Sequence, residues 1–149
     1  MKGGVILKLK INIDKSREEE IIIYAHRHSE LITAISELVN EQNFTVMGYS
    51  DYSYQQIDLA ETICFIAEDN KIYAVTNDGK HIIKLRLYQL EEKLPANFVK
   101  INQSCIANIK QIKKFDVSVS GTMLIIFKNG YRDYVSRRQL KSVKERVGI

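Results

Sequence analysis

Asn77-Asp78-Gly79 lies between two short apolar segments, Lys71–Thr76 and His81–Leu85, and this limits what the chain can fold into. An Asp-Gly pair takes the positive backbone angles of a tight hairpin turn at little steric cost, and that turn forces its flanking segments to run antiparallel. Lys128-Asn129-Gly130 repeats the signal between Thr122–Phe127 and Tyr131–Val135. Further short strands are expected at Ile63–Ala67, with Glu68-Asp69-Asn70 as its turn, at Phe98–Ile101 and at Ile112–Val117. Arg86–Leu94 is helical in pattern, with Leu87, Leu90 and Leu94 on one face, and Pro95 stops it. A last helix is expected over Ser136–Val147, capped by Gly148. Strands this short, joined by turns this tight, leave no room for strand–helix–strand crossovers, which argues against Rossmann-like and TIM-barrel architectures. The expected fold class is therefore α+β and β-dominated, built from short, mostly antiparallel sheets with two small helices.

A small strand–strand–helix unit is expected ahead of it. From Val5 to Ile13 apolar and polar residues alternate with the period of a half-buried strand, until Asp14-Lys15-Ser16 breaks the pattern. Glu20–His26 holds the β-branched run Ile21-Ile22-Ile23, again strand-like. Ser29 can then cap a helix from Glu30 to about Glu41, with Leu31, Ala34, Ile35, Leu38 and Val39 on one face. The expected organisation is a unit at 1–45, a tyrosine-rich linker or hairpin at 46–56 around Tyr49, Tyr52 and Tyr54, and a domain at 57–149.

Composition removes several function classes. With 45% hydrophobic and 27% charged residues and a single proline, the chain reads as globular. No stretch approaches the roughly 18 apolar residues of a membrane span, and Val5-Ile6-Leu7 is too short for a signal-peptide core, so a cytoplasmic protein is expected. Cys64 and Cys105 sit singly inside apolar segments and read as buried, reduced thiols. No GxSxG, HExxH, GxxxxGK[ST] or GxGxxG motif is present. His26 and His28 would share a strand face but have no third ligand near them in sequence, and the acidic runs Glu18-Glu19-Glu20 and Glu91-Glu92 read as solvated. Neither an enzyme, a metal site nor a cofactor is expected.

Charge is distributed unevenly. Residues 99–149 carry 11 basic and 3 acidic side chains, a net +8, whereas residues 1–50 and 51–98 carry −1 and −3. That asymmetry points to a polyanion met by the C-terminal third. Three segment ends there suit nucleic acid: Lys100-Ile101-Asn102-Gln103-Ser104, Asn108-Ile109-Lys110, and Ser136-Arg137-Arg138-Gln139 with Lys141 one turn on. Asn, Gln and Arg can each make paired hydrogen bonds to a base edge, and a helix start with arginines suits a phosphate. The alternative is a β-rich protein-interaction module, whose basic residues would scatter over the surface. RNA is disfavoured, because the only aromatics of the basic segment are Phe115, Phe127, Tyr131 and Tyr134.

The order of these motifs resembles the LytTR family, the DNA-binding domain of LytR/AlgR-type bacterial regulators. The resemblance runs from about Ile57 to the C-terminus. Its most specific stretches are Phe98-Val99-Lys100-Ile101-Asn102-Gln103-Ser104-Cys105-Ile106-Ala107-Asn108-Ile109 and Tyr134-Val135-Ser136-Arg137-Arg138, with the helical Arg86–Leu94 before them. It implies double-stranded DNA as partner, read in successive major grooves by loops, with direct repeats bound by paired protomers. By position the contacting loops are Asp69-Asn70-Lys71, Asn102-Gln103-Ser104 and Ser136-Arg137-Arg138, with Asn108 structural. The candidate DNA-binding residues are thus Asn70, Lys71, Lys100, Asn102, Gln103, Ser104, Lys110, Ser136, Arg137, Arg138 and Lys141. Where the family usually has histidine or serine followed by arginine, lysine or asparagine, this chain has Asn102-Gln103, a departure that bears on the target sequence. In place of the family's usual receiver domain, the segment before the match is expected to be only the short unit at 1–45. The layout resembles short, freestanding regulators, often paired with a small membrane protein that restrains them; the unit at 1–45 is expected to form a homodimer or to dock that partner.

Overall fold

In the computed structural model, which describes residues 7–149, the hairpin turns order two antiparallel sheets. After helix α1 (Glu30–Asn43) come β1 (Val46–Ser50), β2 (Ser53–Ile57), β3 (Cys64–Glu68), β4 (Lys71–Thr76) and β5 (Gly79–Ile83). Helix α2 (Leu87–Lys93) leads to β6 (Phe98–Asn102), β7 (Cys105–Asn108), β8 (Ile112–Val117), β9 (Met123–Phe127), β10 (Arg132–Val135) and helix α3 (Leu140–Val147). Seven strands form one sheet in the order β2-β1-β5-β4-β3-β7-β6, and β10-β9-β8 form the second. Gly79, at φ 120°, follows the Asn77-Asp78 turn between β4 and β5. Asp69 and Asn70, at φ 51° and 61°, make the two-residue turn between β3 and β4, a conformation their short polar side chains tolerate.

The large sheet is covered on both faces. Cys64, Ile66, Cys105 and Ala107 point to one side, where they meet Met123, Ile125 and Phe127 of the small sheet and Val143 of α3. Phe65 and Ile106 point to the other, against Leu90 of α2 and Phe98. Strands buried on both faces lose the polar–apolar alternation that marks half-exposed ones. That is why β7, four residues long, was not expected as a strand.

Buried polar groups are paired. Asn108 is fully buried; its Nδ2 donates to the carbonyls of Thr62 (2.8 Å) and Leu59 (3.4 Å), and its Oδ1 accepts from Asn97 Nδ2 (2.8 Å) and Lys110 N (3.1 Å). His81, also buried, lies 3.3 Å from Ser50 Oγ and 3.4 Å from Thr76 Oγ1. Both cysteines are free and buried. The adjacent Cys64 thiol, together with burial, holds the Cys105 thiol well above its usual range, and burial raises the Tyr131 hydroxyl. A group raised in the folded state stabilises fully below its unfolded pKa, about 8.5 for Cys and 10 for Tyr, and that stabilisation is lost as pH climbs through the folded value. Urea midpoints are therefore expected to fall on going from pH 8 to strongly alkaline buffer; a constant midpoint would contradict this protonation.

One part of the N-terminal expectation needs correction. Val5 and Ile6 lie outside the described residues, but residues 7–13 and 20–26 carry no strand. Alternation supplies a face, not a partner, and a two-stranded ribbon with nothing over that face is marginal in water. Helix α1 does form. Of the two readings of residues 46–56, linker or hairpin, the hairpin forms: β1 pairs with β2 and with β5, so this segment belongs to the large sheet. Gly48 allows both neighbours to approach, because a Cβ there would lie 2.9 Å from His81 Cβ of β5 and 2.6 Å from Ile57 Cδ1 of β2.

Candidate nucleic-acid interface

Register places the β3–β4 and β6–β7 turns at the same end of the large sheet. Ile66 near the end of β3 pairs with Cys105 at the start of β7, and Ala67 N donates to Ser104 O at 2.9 Å. The chain entering α3 arrives at the same end, where Ser136 N donates to Ile101 O at 2.8 Å. The turn at Asp69-Asn70, the loop at Gln103-Ser104 and the segment Ser136–Arg138 are thereby gathered, although they are far apart in sequence. Asn70, Lys71, Gln103, Ser104, Arg137, Arg138 and Lys141 are all exposed. Ser136 is half-buried; its Oγ accepts from Gln139 N at 3.3 Å and helps turn the chain into α3.

Asn102 holds two of these loops together. Its Nδ2 donates to Asp133 Oδ1 (3.1 Å) and to Tyr134 O (2.8 Å), and its Oδ1 accepts from Ser104 N (2.8 Å). Those bonds occupy both N–H groups of the amide and one lone pair of its oxygen, so its amide edge is committed inside the protein. Asp133 Oδ1 also accepts from Tyr134 N at 2.8 Å. Asp133 was missed by sequence reasoning because nothing local marks an acid on β10 as the partner of a loop 31 residues earlier. The neighbouring Gln103 has no such ties among the described residues.

The remaining candidates are placed elsewhere. Lys110 follows β7 at the end of the sheet opposite the gathered loops, where its backbone N–H serves Asn108. Lys100 extends towards α2, with its Nζ 3.9 Å from Glu91 Oε2. The first turn also carries acid: Glu68 accepts from Lys80 Nζ at 2.9 Å, and Asp69 is exposed beside Lys71. Lys71, Arg137, Arg138 and Lys141 supply the positive charge at this end, and no salt bridge occupies any of them among the described residues.

Truncating Asn102 and Gln103 should therefore have different consequences. Asn102→Ala is expected to lower folding stability by about 1–3 kcal/mol, through lost and orphaned hydrogen bonds, and to weaken DNA binding as well. Gln103→Ala is expected to weaken DNA binding while changing stability by less than about 0.5 kcal/mol. Urea unfolding paired with DNA titration separates the two. Parent-like stability in Asn102→Ala, with discrimination lost at a single base pair, would show that Asn102 reads a base.

Comparison with known proteins identifies the family. Residues 52–148 match the LytTr DNA-binding domain family. An uncharacterized HTH-type transcriptional regulator of Staphylococcus aureus strain MSSA476 is 34% identical over 97% of this chain and 100% of its own length. A similarly described protein of strain NCTC 8325 / PS 47 is 33% identical, with the same coverage. Among solved structures, the LytTr DNA-binding domain of a putative methyl-accepting/DNA response regulator from Bacillus cereus superposes with a TM-score of 0.67 at 23% identity, covering 70% of this chain and 97% of that one. The superposition establishes a shared fold.

Proposed function

Because the chain belongs to the LytTR family of DNA-binding domains, we propose that it is a bacterial transcription regulator that binds specific DNA sequences through loops placed in successive major grooves. The observation that carries this reading is the convergence of the three segments on one end of the large sheet, through the Ala67–Ser104 and Ser136–Ile101 backbone bonds and the Asn102 side chain. In this reading Gln103 and Arg138 contact base edges. Lys71, Arg137 and Lys141 meet phosphates, which fix register without reading sequence. Asn102 positions the middle loop against the third one. Two copies read direct repeats, and a small membrane protein is the restraining partner that the resemblance implies.

The Staphylococcus aureus relatives are named as regulators of the helix-turn-helix type. In the described residues of this chain, α1, α2 and α3 are each separated by strands, so no pair of helices adjoins through a short turn. Loops therefore take the place of a recognition helix. Selection of bound duplexes from a random pool tests the reading. Enrichment of one motif occurring twice in the same orientation is expected, and a pool that stays random after repeated rounds would contradict it.

A further inference from the structure

Among the described residues, 18 large apolar side chains remain exposed, and 10 of them fall between Leu7 and Leu38. The other eight are scattered along the rest of the chain, which is ordinary for a soluble surface. The N-terminal ones are not scattered. Leu9, Ile11 and Ile13 recur at every second position with exposures of 87%, 71% and 88%, the spacing of one strand face. Leu31 and Leu38 lie on the apolar face of α1 and are exposed as well. Concentrated exposure of this kind marks an interaction surface.

Charge identifies what covers it. Lys8 and Lys10 make the arm over residues 7–13 purely basic, whereas the returning arm carries Glu18, Glu19 and Glu20 once past Lys15 and Arg17 at the turn. The chain reverses between them through Asp14, whose carboxylate accepts from Ser16 N at 3.0 Å and from Ser16 Oγ at 2.6 Å. Lys10, the turn residues Lys15 and Arg17, and the three glutamates border one shallow space, yet no salt bridge joins the arms among the described residues. A surface with one basic and one acidic arm is self-complementary: a two-fold axis sets each arm against its opposite on the other copy, twice. An anionic bilayer surface suits it poorly, since α1 carries only acidic charges and no Lys or Arg occurs between Arg27 and Lys71. Area agrees as well: at roughly 60–120 Å² per side chain, the nine aliphatic residues and Tyr24 together offer at most about 600–1,200 Å² per copy, against about 800 Å² for a standard interface.

We propose that residues 7–39 form the interface with a second copy of this chain, completing there the strands that residues 7–13 and 20–26 do not form within one copy. The inference rests on the reading that paired protomers bind repeated sites, and it locates the pairing off the DNA-reading domain.

Sedimentation of the full chain without DNA tests it. The parent is expected to dimerise at micromolar concentration, and Leu9→Asp with Ile11→Asp to weaken dimerisation by at least about tenfold. Both side chains are exposed within one copy, so affinity for a single half-site is expected to stay at the parental value. Charge reversal separates pairing between copies from pairing within one. Lys8→Glu with Lys10→Glu, and Glu18→Lys with Glu20→Lys, should each be monomeric alone and should form a mixed dimer when combined. A monomeric parent, or charge-reversed variants that dimerise as well as the parent, would overturn the proposal. A dimer that selects no DNA sequence would leave this interface standing and refute the DNA reading; a monomer that does select one would do the reverse.

Discussion

Arg138→Ala is expected to lower affinity for the selected duplex about 5- to 150-fold, equivalent to about 1–3 kcal/mol, the worth of one bidentate arginine–base contact. The side chain is exposed on the segment that enters α3, and among the described residues no carboxylate pairs with it. Removing it leaves no buried group unpaired, so stability should stay within about 0.5 kcal/mol of the parent. The signature of base reading lies in the comparison between sequences. Affinity for the selected duplex should fall while discrimination at one base pair relaxes, and the phosphate-dominated affinity for scrambled DNA should change little. Lys110→Ala is the matched control, since it removes the same charge at the opposite end of the sheet and should leave both affinities unchanged. Equal losses for Arg138→Ala on both duplexes would reassign Arg138 to phosphate contact.

Asn108→Ala is expected to destabilise the fold by about 3 kcal/mol or more, because buried groups that lose a partner cost about 1–3 kcal/mol apiece. The amide joins the loop before β3, the Asn97 side chain and the turn after β7, all around a fully buried position. Its loss strands the Thr62 carbonyl and the Asn97 and Lys110 N–H groups together. In a domain of about 100 residues, each kcal/mol shifts Tm by roughly 4–8 °C, so a drop of about 12 °C or more is expected in a thermal melt. Asn108→Asp should fare no better, since a carboxylate cannot donate to Thr62 O and would bring charge into the core. A melt within a few degrees of the parent would show that water or rearranged side chains replace the amide.

How much of this was legible in the sequence depended on how local each signal was. The β3–β4–β5 meander and the β9–β10 hairpin could be read because Asp69-Asn70, Asn77-Asp78-Gly79 and Asn129-Gly130 carry their turn chemistry within a few residues. Strand β7 could not, because Cys105–Asn108 is buried on both faces and has no alternation. The N-terminal alternation was visible, but whether a strand forms depends on a partner that the pattern does not name. At the interface, residue type drew out loops that the strand register gathers at one end of the sheet, and gave no sign that Asn102 is tied to Asp133 and Tyr134. An asparagine committed to Asp133 and Tyr134 looks, in sequence, like one free to meet a base. Lys110 was grouped with the loops by closeness along the chain, whereas four residues of strand carry it to the far end of the sheet.

The most direct measurement is a titration of the full chain on a selected duplex and on a scrambled duplex of equal length, repeated over a series of salt concentrations. Both affinities are expected to fall linearly on a log–log plot, at about 0.9 per phosphate contact released. The selected duplex should bind about a thousandfold or more tighter throughout, as specific DNA-binding proteins do. Equal affinity for the two duplexes at every salt concentration would contradict sequence-specific reading by the gathered loops, and binding that does not respond to salt would contradict the phosphate contacts assigned to Lys71, Arg137 and Lys141.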